Sequence, residues 1–585
     1  MKTKVHNCDV LVVGAGAAGL KTAVTLLESL PGIRVALVVK GRIGKCGTTA
    51  NAVSDRMAFH ATMPYTLPAS KDNWRFHSRD IFKIGRFVSD LPLAEILAKE
   101  SEDAVSYLEG TGVPFAKDEK GRLVQFLTDG SVYPRACYTG PYTAWDMEKH
   151  LLKRLEKYRF TLFETCMIAD IMKGREGKVK GAVCVDGSKI LHFFNTGFVV
   201  LATGGAGSIF EDNCYPSGMT GDGYGAALRC GAELVNMEFI QFGLCSRKLK
   251  VACSGTLMRA LPRIVDREGR EVLRGIYENP SDVFNITFRK GASWPVSNEE
   301  ESRILDIIAY RRGSMFLDYT ENPSGWKGVN IPQDIRKWYR EKGFELKSER
   351  PCDRLKFINP GIYGHFLKRG IDVSMEKVEI FSAAQHFQGG IKIDGNSESS
   401  VTGLFACGEA AGGQHGANRP GGNALLDTQV FGKRAALEIV RRIKSGKKEA
   451  GRAGMKMDFS KKYAGDFPET GLKDILKEVK KKMTIHASIQ REEGGLSALK
   501  KELVEFLDNL RPSSNLRLYF EVYNAVLTAI SVVEGCRRRK ESRGPHLLWQ
   551  GEAIVPSESS YDYLYFVGKM EKGKMKSLRR KVKRR

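Results

Sequence analysis

The chain has 585 residues, 42% of them hydrophobic and 27% charged. That balance excludes a fibrous or disordered chain and suits two to four domains with large cores. The net charge is +24. No run of about 20 apolar residues stands out as a membrane span, and no secretory stretch precedes the first strand, so a cytoplasmic location is expected.

The first element is an apolar strand, Val10 to Val13, running into Gly14-Ala15-Gly16-Ala17-Ala18-Gly19. A Gly-x-Gly-x-x-Gly turn after a strand lets backbone N–H groups and a helix N-terminus approach a pyrophosphate. A helix from Ala18 to Ser29 and a second strand from Arg34 to Val39 complete the βαβ unit. The second strand ends in Lys40, where NAD-binding units often carry an acid for ribose. This weakens NAD as the ligand and leaves FAD open. The next loop, Gly44 to Asn51, is small and polar, fit to lie against a flat ring.

A helical, Arg-containing region runs to about Leu108, and short strands cover Thr161 to Phe194. The segment Phe198 to Gly207 again carries an apolar strand into Ala202-Thr203-Gly204-Gly205. Thr220-Gly221-Asp222-Gly223 opens a helix, with Asp222 placed to cap N–H groups. From Lys248 to Asp372 the text turns mixed and polar, as an insertion would. The glycine pattern returns between Ser382 and Ser445, including Gly403 to Ala411. Helical spacing at Leu472, Ile475, Val479 and at Leu499, Leu503, Phe506, Leu507 and Leu510 marks core-facing helices. Lys569 to Arg585 is strongly basic. It is read as a solvated, partly disordered tail, with contact to nucleic acid, an anionic membrane or an acidic partner as the alternatives. Twelve cysteines are scattered without Cys-x-x-Cys. No metal site is expected, and the thiols read as reduced core residues.

Taken in order, these motifs resemble the succinate dehydrogenase and fumarate reductase flavoprotein family, which also holds L-aspartate oxidase and the adenylylsulfate reductase flavoprotein. The match adds Met237 to Phe242, His386-Phe387-Gln388-Gly389-Gly390, His415 to Leu426 and Glu541 to His546. The resemblance implies an α/β fold with a split Rossmann-like FAD-binding domain (1–247 and 373–445), an inserted α+β capping domain (248–372) and a C-terminal helical domain (446–550), followed by the tail (551–585). It implies FAD on Gly14, Gly16, Ala17, Ala18 and Gly19, with Lys40 near the adenosine end. Gly47, Thr48, Thr49, Ala50, Ala202, Thr203, Gly204, Asp222, Glu409, Asn423, Ala424 and Leu425 would line the rest. Some relatives bond flavin through a histidine in the loop after the second strand. Gly47 stands there, which implies non-covalent FAD.

The family's dicarboxylate chemistry needs two grips and a proton-transfer arginine. His386 and Arg419 match one grip. The other departs from the pattern: the family's His-Pro-Thr-Gly is Gly243-Leu244-Cys245-Ser246 here. The family's Thr-Glu-x-x-Arg aligns so that Met258 meets the arginine, with Arg259 one place away. Arg259 is the candidate acid, and an ordinary surface arginine is the alternative. The resemblance thus implies an FAD-dependent oxidoreductase acting on a small carboxylate-bearing substrate. It would exchange electrons with an iron–sulfur partner and meet the membrane only through partners, without nucleic acid. A stand-alone oxidase like L-aspartate oxidase and a non-catalytic electron relay are the other readings.

Overall fold

A computed structural model describes residues 3–65, 72–128, 131–290, 300–446, 463–561, 564–571 and 574–582. Its centre is a five-stranded parallel sheet in the order Leu404–Ala406, Val199–Leu201, Val10–Val13, Val35–Val38, Thr161–Phe163. The first four strands are buried along their whole length. That burial explains their unbroken Val and Leu runs, because a parallel sheet is covered on both faces. Strands about 200 residues apart in the chain are therefore neighbours, with Val199–Leu201 between Val10–Val13 and Leu404–Ala406, and the unit is split along the chain. The helix Ala17–Ser29 packs against the long helix Asn423–Lys444. The first follows the glycine turn after Val10–Val13, and the second follows Gly421-Gly422.

A second antiparallel sheet joins Ile240–Ser246, Val378–Phe387, Met315–Asp318 and Arg263–Val265. Short helices cover it, and they share a separate apolar core that runs from Leu244 to Ile380. This sheet begins and ends on strands that leave and re-enter the split unit.

Three helices, Glu469–Ala487, Glu493–Asn509 and Leu516–Arg538, pack together after the second half of the split unit. Leu472, Val479, Leu499 and Leu503 are buried, as the spacing requires. Leu516–Arg538 is long and apolar enough to cross a membrane by length and composition, with a mean hydropathy of 1.3 in its apolar window. Inside the protein 78% of that window is buried, the state of a core helix.

The basic C-terminal segment departs from the reading as a solvated tail. Leu564–Glu571 and Lys574–Lys581 form a hairpin. Its first strand pairs with Leu234–Val235, matching Val567 to Val235 and Gly568 to Leu234. Phe566 and Val567 are buried, and Arg580 pairs with Glu233 at 2.5 Å. The physical reason is that a few apolar residues anchor the hairpin: Phe566 and Val567 are buried and Met570 and Met575 pack against the core, while the lysines and arginines around them dominate the composition. Residues 572–573 and 583–585 of that segment lie outside the described residues. Replacing the buried Phe566 by Ala should cost about 3–5 kcal/mol locally. Limited trypsin digestion checks this: cutting within 564–582 should be slow in the native protein and fast in the variant, whereas a solvated tail would be cut at once in both.

Candidate functional site

The carboxyl ends of the parallel strands open on one cavity of about 840 Å³. Gly14 adopts a φ of +103°, and a Cβ there would fall inside the Ala202 carbonyl. A Cβ on Gly19 would overlap the Gly14 carbonyl. The turn therefore closes only with glycine at both places. Gly16 precedes the helix Ala17–Ser29 and faces the Thr49 hydroxyl, which accepts from the Ala17 N–H at 3.1 Å. Gly16, Ala17 and Ala18 at this helix end line the cavity, the place where a helix N-terminus suits an anion.

Lys40 enters the same cavity. Its ammonium donates to the Gly218 carbonyl at 2.7 Å and to Asp222 Oδ2 at 2.8 Å, with Glu521 at 3.4 Å. Burial alone would lower its pKa, but the two carboxylates outweigh burial and raise it. Asp222 is the first residue of the helix Asp222–Cys230. It serves Lys40 rather than capping N–H groups, because Gly221, at a φ of 89°, occupies the cap position.

Glu409 is held by the Tyr215 hydroxyl and by the Phe387 N–H at 2.9 Å. Burial raises its pKa against those donors. Its carboxylate fills the space a Cβ on Gly205 would need, which explains the glycine pair after Thr203. Thr48 Oγ1 and Thr203 Oγ1 are buried without hydrogen-bond partners and line the cavity. Unsatisfied hydroxyls beside a glycine cradle and an ammonium fit a long polar cofactor such as FAD.

Gly14, Gly16, Ala17, Ala18, Lys40, Gly47, Thr48, Thr49, Ala202, Thr203, Gly204, Asp222, Glu409, Ala424 and Leu425 all line this cavity. Three residues of the set read from the sequence do not. Gly19 is taken up by packing on Gly14. Ala50 lies inside the short helix Gly47–Asn51. Asn423 turns its side chain away, to His60 at 2.8 Å and His77 at 3.4 Å.

Arg259, His386 and Arg419 line the same cavity. Met258 is fully buried in the second core, whereas Arg259, at the end of the helix Gly255–Arg259, reaches the cavity wall. Arg259 rests over Trp338 and Phe288 at 5.2 and 5.5 Å. His386 lies in the strand Val378–Phe387, not in a turn. Burial first, then Arg419 and His415, hold its pKa well below the ordinary value, so the imidazole is neutral and offers a single N–H. Arg419 carries the charge of the pair. It donates to Gln241 Oε1 at 3.1 Å, and Gln241 in turn donates to Asn418. Gln241 falls within the Met237 to Phe242 motif with no role assigned there, and Gln385 lies outside the motifs: the first orients Arg419, and the second lines the cavity beside His386. Among the described residues no group of three or more His, Cys, Asp or Glu is placed to hold a metal.

The family model of the FAD binding domain matches residues 9–425, so the chain belongs to that family. The chain is 29% identical over 594 residues to an uncharacterized FAD-dependent oxidoreductase of Methanocaldococcus jannaschii, covering 96% of this chain and 99% of the relative. It is 27% identical over 567 residues to a fumarate reductase (CoM/CoB) subunit from Methanothermobacter marburgensis, covering 93% and 95%. A solved mutant of the E. coli quinol fumarate reductase chain FrdA shares the fold at a TM-score of 0.77, with 21% identity over 100% of this chain and 97% of that one. The family resemblance read from the sequence holds, and FAD is the cofactor.

Gly14→Ala should purify with under a tenth of the flavin that the parent retains, because the added methyl meets the Ala202 carbonyl and strains a positive φ. The ratio of flavin to protein absorbance checks this, with circular dichroism to show that the rest of the chain is folded.

Proposed function

We propose that this FAD-dependent oxidoreductase works in the manner of fumarate reductase and succinate dehydrogenase flavoproteins, acting on a small carboxylate-bearing substrate and exchanging electrons with an iron–sulfur partner. One observation carries the reading: Arg259, His386 and Arg419 share a single cavity with the glycine turns that suit FAD.

When bound, FAD supplies two-electron hydride chemistry at its isoalloxazine ring. The pyrophosphate end would lie on Gly14 to Ala18 and the helix N-terminus behind them. Lys40, Asp222 and Glu409 would meet the polar chain and its hydroxyls, and Gly47 to Thr49 with Ala424 and Leu425 would border the ring. Arg419 binds one substrate carboxylate with its guanidinium, the geometry suited to two parallel hydrogen bonds. Gln241 holds that guanidinium in place. His386, being neutral, adds an N–H without a competing charge. Arg259 holds the proton that the substrate carbon gains or loses. The low-polarity shelf of Trp338 and Phe288 screens its guanidinium from water, which strengthens its field on a carbanion-like transition state.

The partner reading draws on the relative from Methanothermobacter marburgensis, which is by its name one subunit of a fumarate reductase. Non-covalent attachment rests on Gly47. It has no side chain to bond flavin, and the space where a Cβ would stand is empty.

Arg259→Gln should lower turnover of the carboxylate substrate with a reduced dye by about 10²–10⁴-fold, the span of a lost proton donor, with binding of the acid nearly unchanged. The buried neighbour variant Met258→Leu should keep most of the activity. Steady-state kinetics decides, and equal effects of the two would remove Arg259 from the mechanism. Acid precipitation should release the flavin into the supernatant, and yellow colour left on the pellet would contradict non-covalent binding.

A further inference from the structure

In the family that the chain resembles, the segment after Met237 to Phe242 continues with histidine; here that place belongs to Gly243. The strand Ile240–Ser246 pairs with Val378–Phe387, and the register steps from Gln241 opposite His386 to Phe242 opposite Ala384. Gln385 is thus the extra residue of a β-bulge. In a regular strand, neighbouring side chains point to opposite faces. Across this bulge Gln385 and His386 both line the cavity.

Gln385 also fills the room that Gly243 leaves. A Cβ on residue 243 would lie 2.9 Å from both Nε2 and Oε1 of Gln385 and 3.1 Å from its Cδ. The glutamine thus stands where a larger side chain at 243 would begin. Gln385 Nε2 donates to the Leu244 carbonyl at 3.2 Å. A carbonyl needs a donor, so this bond fixes which way the amide faces. What remains is Oε1, buried and without a hydrogen-bond partner, on a residue only 7% exposed. A buried lone acceptor is costly until a donor meets it. A histidine presents an N–H to a carboxylate; the free atom of this glutamine presents the opposite polarity.

We propose that Gln385 sets the substrate class of this site: a substrate with one carboxylate, taken by Arg419 and His386, and a neutral N–H or O–H donor at its other end, a carboxamide or a hydroxyl, in place of a second carboxylate. The inference rests on the carboxylate-site reading above. A second carboxylate would set oxygen against oxygen in a desolvated pocket. An ammonium group is disfavoured beside Arg259, Lys250 and Arg419, because the carboxylates Asp55 and Glu409 on the same lining are already bonded to Thr256 and to Tyr215 and the Phe387 N–H.

The test uses the flavin-loaded protein with a reduced dye as electron source and three acids: fumarate, its monoamide and 4-hydroxycrotonate. Calorimetric binding of succinate and of its monoamide gives a readout free of turnover. The monoamide or the hydroxy acid should exceed fumarate about ten- to a hundredfold in kcat/KM, and the matching Kd ratio for the amide should follow, the range of one buried donor–acceptor pair made or left unmade. Preference for the monoamide over the hydroxy acid assigns a carboxamide, and the reverse assigns a hydroxyl. In Gln385→Ala the preference should collapse toward one. Fumarate used as well as or better than both alternatives by the parent protein overturns this inference and leaves the carboxylate reading standing. If no acid is bound or turned over, the carboxylate reading itself fails. A preference that survives in folded Gln385→Ala overturns the role of Gln385, and the parent ratios decide the substrate class even if that variant does not fold.

Discussion

Everything along the cavity depends on how closely three backbone segments meet at the carboxyl edge of the parallel sheet. Val13, Leu201 and Ala406 sit in one register row. Just beyond it the chain turns at Gly14, Ala202 and Gly408, and at the first of these the backbone approaches too closely for any side chain. Strand hydrogen bonds thus carry Gly14 and Gly408, far apart in the sequence, to one place. Gly205 extends the same constraint, since its missing side chain is what admits the Glu409 carboxylate. The cofactor surface is therefore built of backbone and small residues, and the few side chains that reach it are fixed by partners: Lys40 by Asp222, Glu409 by Tyr215.

The proposed substrate end follows from the same geometry one layer out. The strands Ile240–Ser246 and Val378–Phe387 lead from the split unit into the second sheet, so residues near their junction are placed by both cores at once. Gln241 and His386 face each other there, and Gln241 reaches on to Arg419. The motif Glu541 to His546, part of the family resemblance, plays no part in lining the cavity. Arg539 joins Glu238 to Glu541, Arg543 clasps Glu541, and His546 meets Arg491. These buried ion pairs, with the Arg491–His546 hydrogen bond, fasten the C-terminal helices beside the strand that carries Gln241. Breaking one partner would strand a buried charge, so this motif acts on the site through position.

Much of this was legible in the sequence where one local signal specifies one local structure. Apolar runs ending in glycine gave the parallel strands and the cofactor turns, because burial and close approach leave few other residue choices. Signals that depend on direction were not legible. Asn423 belongs to a recognisable glycine turn, yet its amide points to His60 and His77. Sequence counting placed Met258 at the arginine position, and only the short helix shows which neighbour faces the cavity. The hairpin at the C-terminus was hidden because its lysines and arginines dominate the composition while Phe566 and Val567 carry the packing. The bulge at Gln385 has no sequence signature, since it is a relation between two strands.

The altered substrate half bears on whether this site has decayed or been rebuilt. Residues lost independently leave voids and unpaired groups; Gln385 Oε1 is unpaired here, but its side chain is packed against Gly243. Here the changes fit one another. Gly243 vacates a volume that Gln385 occupies within contact distance, and a bulge brings Gln385 and His386 to the same wall. Arg259 reaches the cavity from the residue beside the one that alignment suggests, while Met258 completes the apolar core behind it. Arg419 keeps a hydrogen-bonded brace through Gln241. These contacts place side chains from three separate segments on the lining of one cavity, which is the arrangement the proposed substrate site requires.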